Sequence, residues 1–218
     1  MKILSINVGL PREVEWKGKT VLTGIFKTSV KGPLKVEQYN ISGDRQADLK
    51  NHGGENKAVY LYPFEHYAYW KERLSVEDLP YGAFGENLTT SGILETELNI
   101  GDHLKAGTCE LAVVQPRIPC YKLGIRFNDT TMTAKFYESR RFGIYLKIIK
   151  EGKIAPGDVI EIISRDANGI TVADVINAYV DRKVNEDFLF RVSRLNTLPE
   201  RWKDDFRKFY ESSISRQD

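Results

Sequence analysis

Short β-rich runs separated by turn-forming residues occupy the first two-thirds of the chain. They are rich in Val, Ile and aromatic residues and are bounded by Gly, Pro, Asn or Asp: KILSINV, TVLTGIF, KAVYLY, CELAVVQ, FGIYLKIIK and DVIEIIS. Gly101-Asp102 and Gly157-Asp158 each precede a strand and favour sharp corners between strands. Because few long helical patterns lie between the runs, we predict a barrel or sandwich rather than a doubly wound sheet.

Helical patterns interrupt this region twice and then replace it. One helix follows Pro63, and another follows Thr131 or Thr133. After Gly169 the apolar residues repeat with a helical period in three stripes: Val172, Val175, Ile176 and Tyr179; Phe188, Val192 and Leu195; Trp202, Phe206, Phe209 and Tyr210.

The residues that precede two of these stripes also indicate helices. Thr171 and Asp174 have the spacing of a capping box, and Pro199 suits a first helical position. The sequence therefore predicts a mainly β chain with helices (α+β), in which a β domain at 1–166 precedes a small three-helix domain at 168–212. The alternative is that the three helices lie individually on the β domain.

The bulk composition excludes several classes of protein. The chain has 218 residues with 32 basic and 30 acidic side chains, so its net charge of +2 gives no argument for a stable nucleic-acid partner. No apolar run approaches the roughly 20 residues of a membrane span, and the start resembles no signal peptide. Two cysteines without a CxxC pair indicate free thiols in a reducing compartment. We therefore expect a cytoplasmic protein without a membrane partner.

The two cysteines differ in their surroundings. Cys109 shares one strand face with Leu111 and Val113, which predicts a buried thiol with a raised pKa and low reactivity. Cys120 lies in QPRIPCYKL, just past the strand, in a loop stiffened by prolines. Arg117 and Lys122 flank it and would stabilise a thiolate there. Such a thiolate can act as nucleophile, sulfur acceptor or soft-metal ligand, and an incidental loop cysteine is the plainer alternative.

Two further loops are candidates for binding. In DRQADLKNHGGENK, His52 stands among polar residues, and Gly53 and Gly54 can present backbone N–H groups to an anion, although a simple tight loop explains them equally well. FGENL places Glu86 and Asn87 behind Gly85. P-loop, GxGxxG, HExxH and paired CxxC signatures are absent from the sequence. If these loops meet, they form a pocket for a small anionic ligand with a thiolate at its base.

The combination of GDRQADLKNHGG, FGENL, the Gly101-Asp102 turn and QPRIPCYKL resembles the MOSC domain, named for the C-terminal part of molybdenum-cofactor sulfurase. Their order and the helical tail resemble the YiiM-type members, and the match covers essentially the whole chain. The resemblance implies a MOSC-type β-barrel followed by a three-helix C-terminal domain, and a molybdenum cofactor (molybdopterin). For YiiM-type proteins the implied activity is reduction of N-hydroxylated compounds, such as hydroxylaminopurine bases.

The same resemblance implies roles for individual residues. Cys120 becomes the metal ligand and catalytic residue or, in a sulfurase-like reading, the sulfur carrier. The residues implied to hold the pterin and its phosphate are Arg117, Lys122, His52, Gly53 and Gly54, with Gln46, Asp48 and Asn87 as polar contacts and Lys27 as a phosphate contact.

Two functions follow from these roles. The first is a molybdenum oxidoreductase that reduces N–O bonds and takes electrons from a separate donor protein, because no FAD, NAD or iron–sulfur motif is present; the helical tail is a candidate docking surface. The second is a non-redox sulfur carrier, with a persulfide on Cys120, or a cofactor-binding module. The absence of a pyridoxal-phosphate-type sulfurase domain disfavours the second without excluding it.

Overall fold

The computed structural model describes residues 1–48, 53–182 and 185–215 as a mixture of strands and helices. The strands are β1 Lys2–Val8, β2 Arg12–Trp16, β3 Lys19–Thr23, β4 Thr28–Val30, β5 Leu34–Glu37, β6 Asn40–Ile41, β7 Val59–Pro63, β8 Leu88–Ser91, β9 His103–Ala106, β10 Cys109–Pro116, β11 Ile144–Lys150, β12 Gly152–Ile154 and β13 Ile160–Ser164. The helices are α1 Glu65–Leu74, α2 Lys122–Phe127, α3 Met132–Ser139, α4 Val172–Asp181, α5 Glu186–Ser193 and α6 Glu200–Ile214, with a 3-10 turn at Glu55–Lys57.

The main sheet curls until its first and last parts meet. Its eight strands run in the order β13-β9-β10-β11-β7-β8-β1-β4, antiparallel except for the parallel pair β7–β8. The backbone of β1 then reaches β13. Lys2 and Val159 form an isolated antiparallel bridge, and Ile3 N donates to Asp158 O at 2.9 Å. These contacts join the start of β1 to the residues before β13 and bring the two parts of the curled sheet together. The predicted mainly β fold with helices (α+β) is confirmed.

Strand β10 shows why the apolar runs of the sequence became central strands. Seven of its eight residues are buried, a pattern without the alternation of a half-exposed strand. One face points into the barrel, and α4 with the C-terminal helices covers the other, which favours apolar residues on both faces. Cys109 opens this strand, and its fully buried side chain belongs to the core, as predicted.

A second apolar cluster lies between α1, α3 and the sheet and is largely aromatic. Trp70 and Phe136 stack with their ring centroids 4.4 Å apart, and Phe84 packs against both. Such pairs contribute about 0.5–1.5 kcal/mol beyond their buried area. Because Phe84 begins FGENL, this cluster fixes that loop against the barrel.

The three C-terminal helices form where the sequence predicts them. The capping box is present, since Asp174 N donates to Thr171 Oγ1 at 3.0 Å and Thr171 N to Asp174 Oδ2 at 2.9 Å. Helix α6 begins at Glu200, one residue after the predicted first position at Pro199, a shift within ordinary boundary variation.

The helices share the core of the barrel. Helix α5 packs on α6, α4 packs on β10, and Trp202 and Phe206 are buried in the same cluster as the inner faces of the strands. The boundary between 166 and 168 stays a prediction. In the described part of the chain, no helix combines the length and apolar character of a membrane span.

Candidate functional site

An open cleft on the barrel brings together side chains that are far apart in the sequence. It encloses about 570 Å³ when the space open to solvent is included. The described residues that line it are Thr23, Gly24, Ile25, Lys27, Asp44, Arg45, Gln46, Ala47, Lys57, Tyr60, Gly85, Asn87, Arg117, Cys120, Lys122 and Tyr145.

A buried polar network centred on Asp44 forms one wall of the cleft. Lys27 Nζ donates to Asp44 Oδ1, Gly9 N donates to the same oxygen at 2.9 Å, and Asn87 Nδ2 donates to Asp44 Oδ2 at 2.8 Å. Tyr60 N donates in turn to Asn87 Oδ1 at 3.0 Å. Burial lowers the pKa of Lys27, and the Asp44 carboxylate opposes this shift. The network therefore holds Lys27 and Asn87, both predicted site residues, in fixed positions.

Arg117 is buried and its orientation is fixed from two sides. Its Nη1 donates to Phe84 O at 3.0 Å and to the Tyr60 hydroxyl at 3.3 Å, and the guanidinium lies 4.7 Å from the centre of the Tyr60 ring. Burial disfavours its charge, but Tyr60, Tyr145 and Cys120 together hold the pKa of Arg117 above its ordinary value. Burial also raises the pKa of Tyr60, whose hydroxyl donates to Phe142 O at 2.8 Å. Arg117 is therefore a permanent cation in the wall of the cleft.

Cys120 and Lys122 both line the cleft and are separated in sequence by the exposed Tyr121. The Cys120 side chain is partly exposed, as a reactive thiol requires. Lys122 is only 8% exposed, and it makes no hydrogen bond or ion pair within the ranges that the structure describes. A cation in this position costs free energy unless an anion joins it. The sequence predicted only a stiff loop here, whereas α2 begins at Lys122.

The lining carries a strong excess of positive charge. Among its described residues, five are basic (Lys27, Arg45, Lys57, Arg117 and Lys122) and one is acidic, Asp44. The pKa of Lys57 is lowered by burial and then by the charge of Arg201 on α6. Like charges gathered in a cleft favour an anionic ligand.

Two glycines allow the backbone to approach closely beside the cleft. Gly85 has a φ of +80°, and a Cβ there would lie 2.9 Å from Ile25 Cγ1. A Cβ on Gly24 would lie 2.6 Å from Arg45 O. Any larger residue at either position would push the two strand-end loops apart, so both glycines are needed for the shape of the cleft.

Glu86, a candidate from FGENL, supports this loop from outside the lining. Its buried carboxyl accepts hydrogen bonds from Gly82 N, Phe84 N, Thr89 Oγ1 and the Tyr67 hydroxyl. Burial raises the pKa of Glu86. The carboxyl therefore organises the FGENL backbone, and the neighbouring Asn87 lines the cleft.

The structure brings together six of the predicted site residues: Lys27, Gln46, Asn87, Arg117, Cys120 and Lys122. Asp48, Gly53 and Gly54 lie outside the lining that the described residues define. Gly54 does have the predicted positive φ, at 86°, but it caps the 3-10 turn. His52 lies outside the described residues, so its role stays a prediction.

No sequence motif singled out five further lining residues: Asp44, Arg45, Lys57, Tyr60 and Tyr145. Asp44 and Arg45 directly precede Gln46 in GDRQAD, so the polar character of that run was an available signal. Lys57 follows the Gly-rich loop by three residues. Tyr60 and Tyr145 stand within apolar strand runs, where nothing in the sequence separates them from core aromatics.

Comparison with known proteins identifies the family. The profile of the MOSC domain matches residues 48–161. The chain belongs to the MOSC family. Lys27 and Asp44 precede the matched MOSC segment, and the C-terminal helices follow it.

Similarity to known proteins extends over nearly the whole length of this MOSC chain. The uncharacterized protein YflK of Bacillus subtilis (strain 168) is 41% identical over 208 residues, which are 94% of this chain and 93% of YflK. The crystal structure of YiiM from Geobacillus stearothermophilus superposes with a TM-score of 0.80 at 31% identity and covers 96% of this chain and 98% of that one. The predicted resemblance to YiiM-type MOSC proteins is thus confirmed. A protein of Gibberella moniliformis named "Reductase" is 31% identical over 82% of this chain, which corresponds to 32% of the fungal protein.

Proposed function

We propose that this MOSC protein is a molybdenum-cofactor-dependent reductase of N-hydroxylated compounds that works in the cytoplasm. The observation that carries the proposal is the pair Cys120 and Lys122, a partly exposed thiol next to a buried cation that lacks an anionic partner among the described residues. The family, and a relative named as a reductase, support the same reading.

The residues of the cleft fit an anionic, sulfur-rich cofactor. A thiolate is a suitable ligand for a metal that already carries sulfur ligands. Arg117 is a buried cation in the lining, and its guanidinium suits a phosphate or a pterin oxygen. Lys122 would then receive the anionic partner that its burial requires. When bound, the cofactor would supply the redox-active metal.

The protein's own groups would bind and orient the cofactor. Asp44 fixes Lys27 and Asn87 at one wall, and Phe84 and Tyr60 fix Arg117 at another, so these donors need no rearrangement on binding. The cleft would hold the cofactor with Cys120 facing it and would leave an open side for a small substrate. Electrons would come from a separate donor protein.

Metal analysis and a substrate assay test this proposal. Protein produced in cells that synthesise the cofactor should contain molybdenum and, with a competent electron donor, reduce an N-hydroxylated base. Arg117→Ala should weaken cofactor binding by about 1.5–3 kcal/mol, or roughly ten- to a hundredfold, because a charge-assisted hydrogen bond is lost. Its activity should return when cofactor is added in excess, whereas Cys120→Ser should stay inactive even when the pterin is bound. Lys135→Ala is the matched control, because Lys135 is a partly exposed lysine that is paired with Asp129 outside the cleft lining.

A sulfur carrier predicts a different outcome. Cyanide-releasable sulfur would then appear on Cys120 in protein without pterin. If cofactor-loaded protein with a competent donor showed this persulfide and no N–O reduction, the reductase proposal would be wrong.

A further inference from the structure

Gln115 connects the C-terminal helices to the rim of the cleft. Trp202 Nε1 on α6 donates to Gln115 Oε1 at 2.7 Å, and Gln115 Nε2 donates to Asn56 O at 2.7 Å. Gln115 and Trp202 are 4% and 2% exposed. The hydrogen bond between them is buried, and the one to Asn56 O is partly buried. With its oxygen and nitrogen each bonded, the Gln115 amide can take only one orientation.

The turn held by Gln115 carries a cation of the cleft. Asn56 lies within the 3-10 turn Glu55–Lys57, and Lys57 lines the cleft. Lys57 O accepts from Gln46 Nε2 at 3.3 Å, and Gln46 is itself a lining residue. A shift of Asn56 would therefore move Lys57 and loosen Gln46.

We propose that Trp202 is a positioning residue for this cleft: through Gln115 it fixes the turn Glu55–Lys57 and so the positive charge of Lys57. This proposal rests on the proposed function in one respect only, namely that the cleft binds an anion. Burial lowers the pKa of Lys57, and the positive charge of Arg201, the neighbour of Trp202, lowers it further. The helical tail, outside the matched MOSC segment, thus helps to build the cleft.

Trp202 also contributes to stability by packing, since the centre of its ring lies 4.9 Å from that of Tyr179 and the ring stacks on Phe206. The test must therefore separate this packing from the hydrogen bond of the indole N–H. Trp202→Phe keeps an aromatic ring and removes only the N–H donor. Trp70→Phe is the matched control, because Trp70 Nε1 also makes one buried hydrogen bond, to the Tyr62 hydroxyl at 2.6 Å, away from the cleft lining. Both variants lose one buried donor, and only Trp202→Phe touches the turn.

Two measurements on the full chain separate positioning from packing. Backbone hydrogen exchange at 55–57 should accelerate about five- to tenfold in Trp202→Phe, as expected for a lost hydrogen bond, and should stay unchanged in Trp70→Phe. The alkylation rate of Cys120 by anionic iodoacetate, divided by its rate with neutral iodoacetamide, reports the positive potential of the cleft. This ratio should fall about two- to threefold in Trp202→Phe if Lys57 moves a few ångströms away.

The outcomes are distinct. Equal exchange at 55–57 and an equal alkylation ratio in the two variants would overturn the proposal. If Trp202→Phe does not fold, Gln115→Met decides, because it has a similar shape and lacks both bonds; normal exchange at 55–57 in that variant would also overturn the proposal. Neither measurement uses cofactor or substrate, so failure of the reductase proposal would leave these results interpretable.

Discussion

Replacing Lys122 by Met should stabilise the ligand-free protein and weaken its binding of anions. Lys122 is 8% exposed and has no partner among the described residues, so its ammonium loses hydration without gaining a hydrogen bond. Methionine keeps the length of the side chain and removes the charge. The two effects have opposite signs, as expected for a residue kept for binding at the expense of stability.

The magnitudes follow from this geometry. The Lys122 ammonium lines an open cleft and keeps some contact with water, so its burial penalty lies at the low end. We expect a gain of about 0.5–1.5 kcal/mol in the free energy of unfolding, or roughly 1–6 °C in Tm for a chain of this size. Loss of a charge-assisted hydrogen bond to an anion should weaken binding by about 1.5–3 kcal/mol, or roughly ten- to a hundredfold.

Urea denaturation of the ligand-free protein measures the first effect, and the rise of Tm with inorganic phosphate measures the second. Lys135→Met is the control, because Lys135 is partly exposed, is paired with Asp129 at 2.7 Å and lies outside the cleft lining. It should cost up to about 1 kcal/mol and leave phosphate binding unchanged. If Lys122→Met destabilises the protein and retains the phosphate response, the reasoning about an unpartnered buried cation is wrong.

Three further predictions concern the thiols and the domain boundary. Alkylation of the folded protein should be faster at Cys120 than at Cys109, and Cys109→Ser should lower stability by about 1–3 kcal/mol while keeping activity, because it places a hydroxyl on an apolar face; faster reaction at Cys109 would reverse the assigned roles. Burial raises the pKa of the Cys109 thiol from 9.0 to about 11, so the folded state holds this proton where the unfolded state has lost it. Stability should therefore fall as pH rises from about 9 to 11, by roughly 1–3 kcal/mol more than in Cys109→Ser, and parallel pH profiles of urea midpoints would contradict this. Residues 1–166 expressed alone should unfold cooperatively, at lower stability than the full chain because the cover of Trp202 on β10 is lost; a non-cooperative transition would place the boundary elsewhere.

Sequence patterns were sufficient where the determining interactions are local. The Thr171 and Asp174 side chains cap α4 from positions three residues apart. The two-residue spacing of Cys109, Leu111 and Val113 places these apolar side chains on one face of their strand. The order of the motifs predicted the family. The family resemblance in turn predicted that Lys27, Asn87 and Arg117 belong to one site.

The remaining parts of the site depend on contacts that no local pattern encodes. Asp44 meets Lys27 across 17 positions and Asn87 across 43, so its role appears only once the barrel has brought the loops together. In the sequence, nothing distinguishes Gln115 from any other polar residue near the end of a strand. Its partners, Asn56 and Trp202, lie 59 and 87 positions away. Helix α2 has only six residues, too few for apolar side chains to repeat with a helical period.

The double hydrogen bonding of Gln115 also constrains how such a chain can evolve. A mutation that removes the amide leaves an indole N–H and a backbone carbonyl without the hydrogen bonds that the described residues give them, so a single change at either end of the link is costly. Residues 115 and 202 should therefore change together among related sequences. A lineage that exchanges its C-terminal helices would have to rebuild this link before the turn at 55–57 could vary freely.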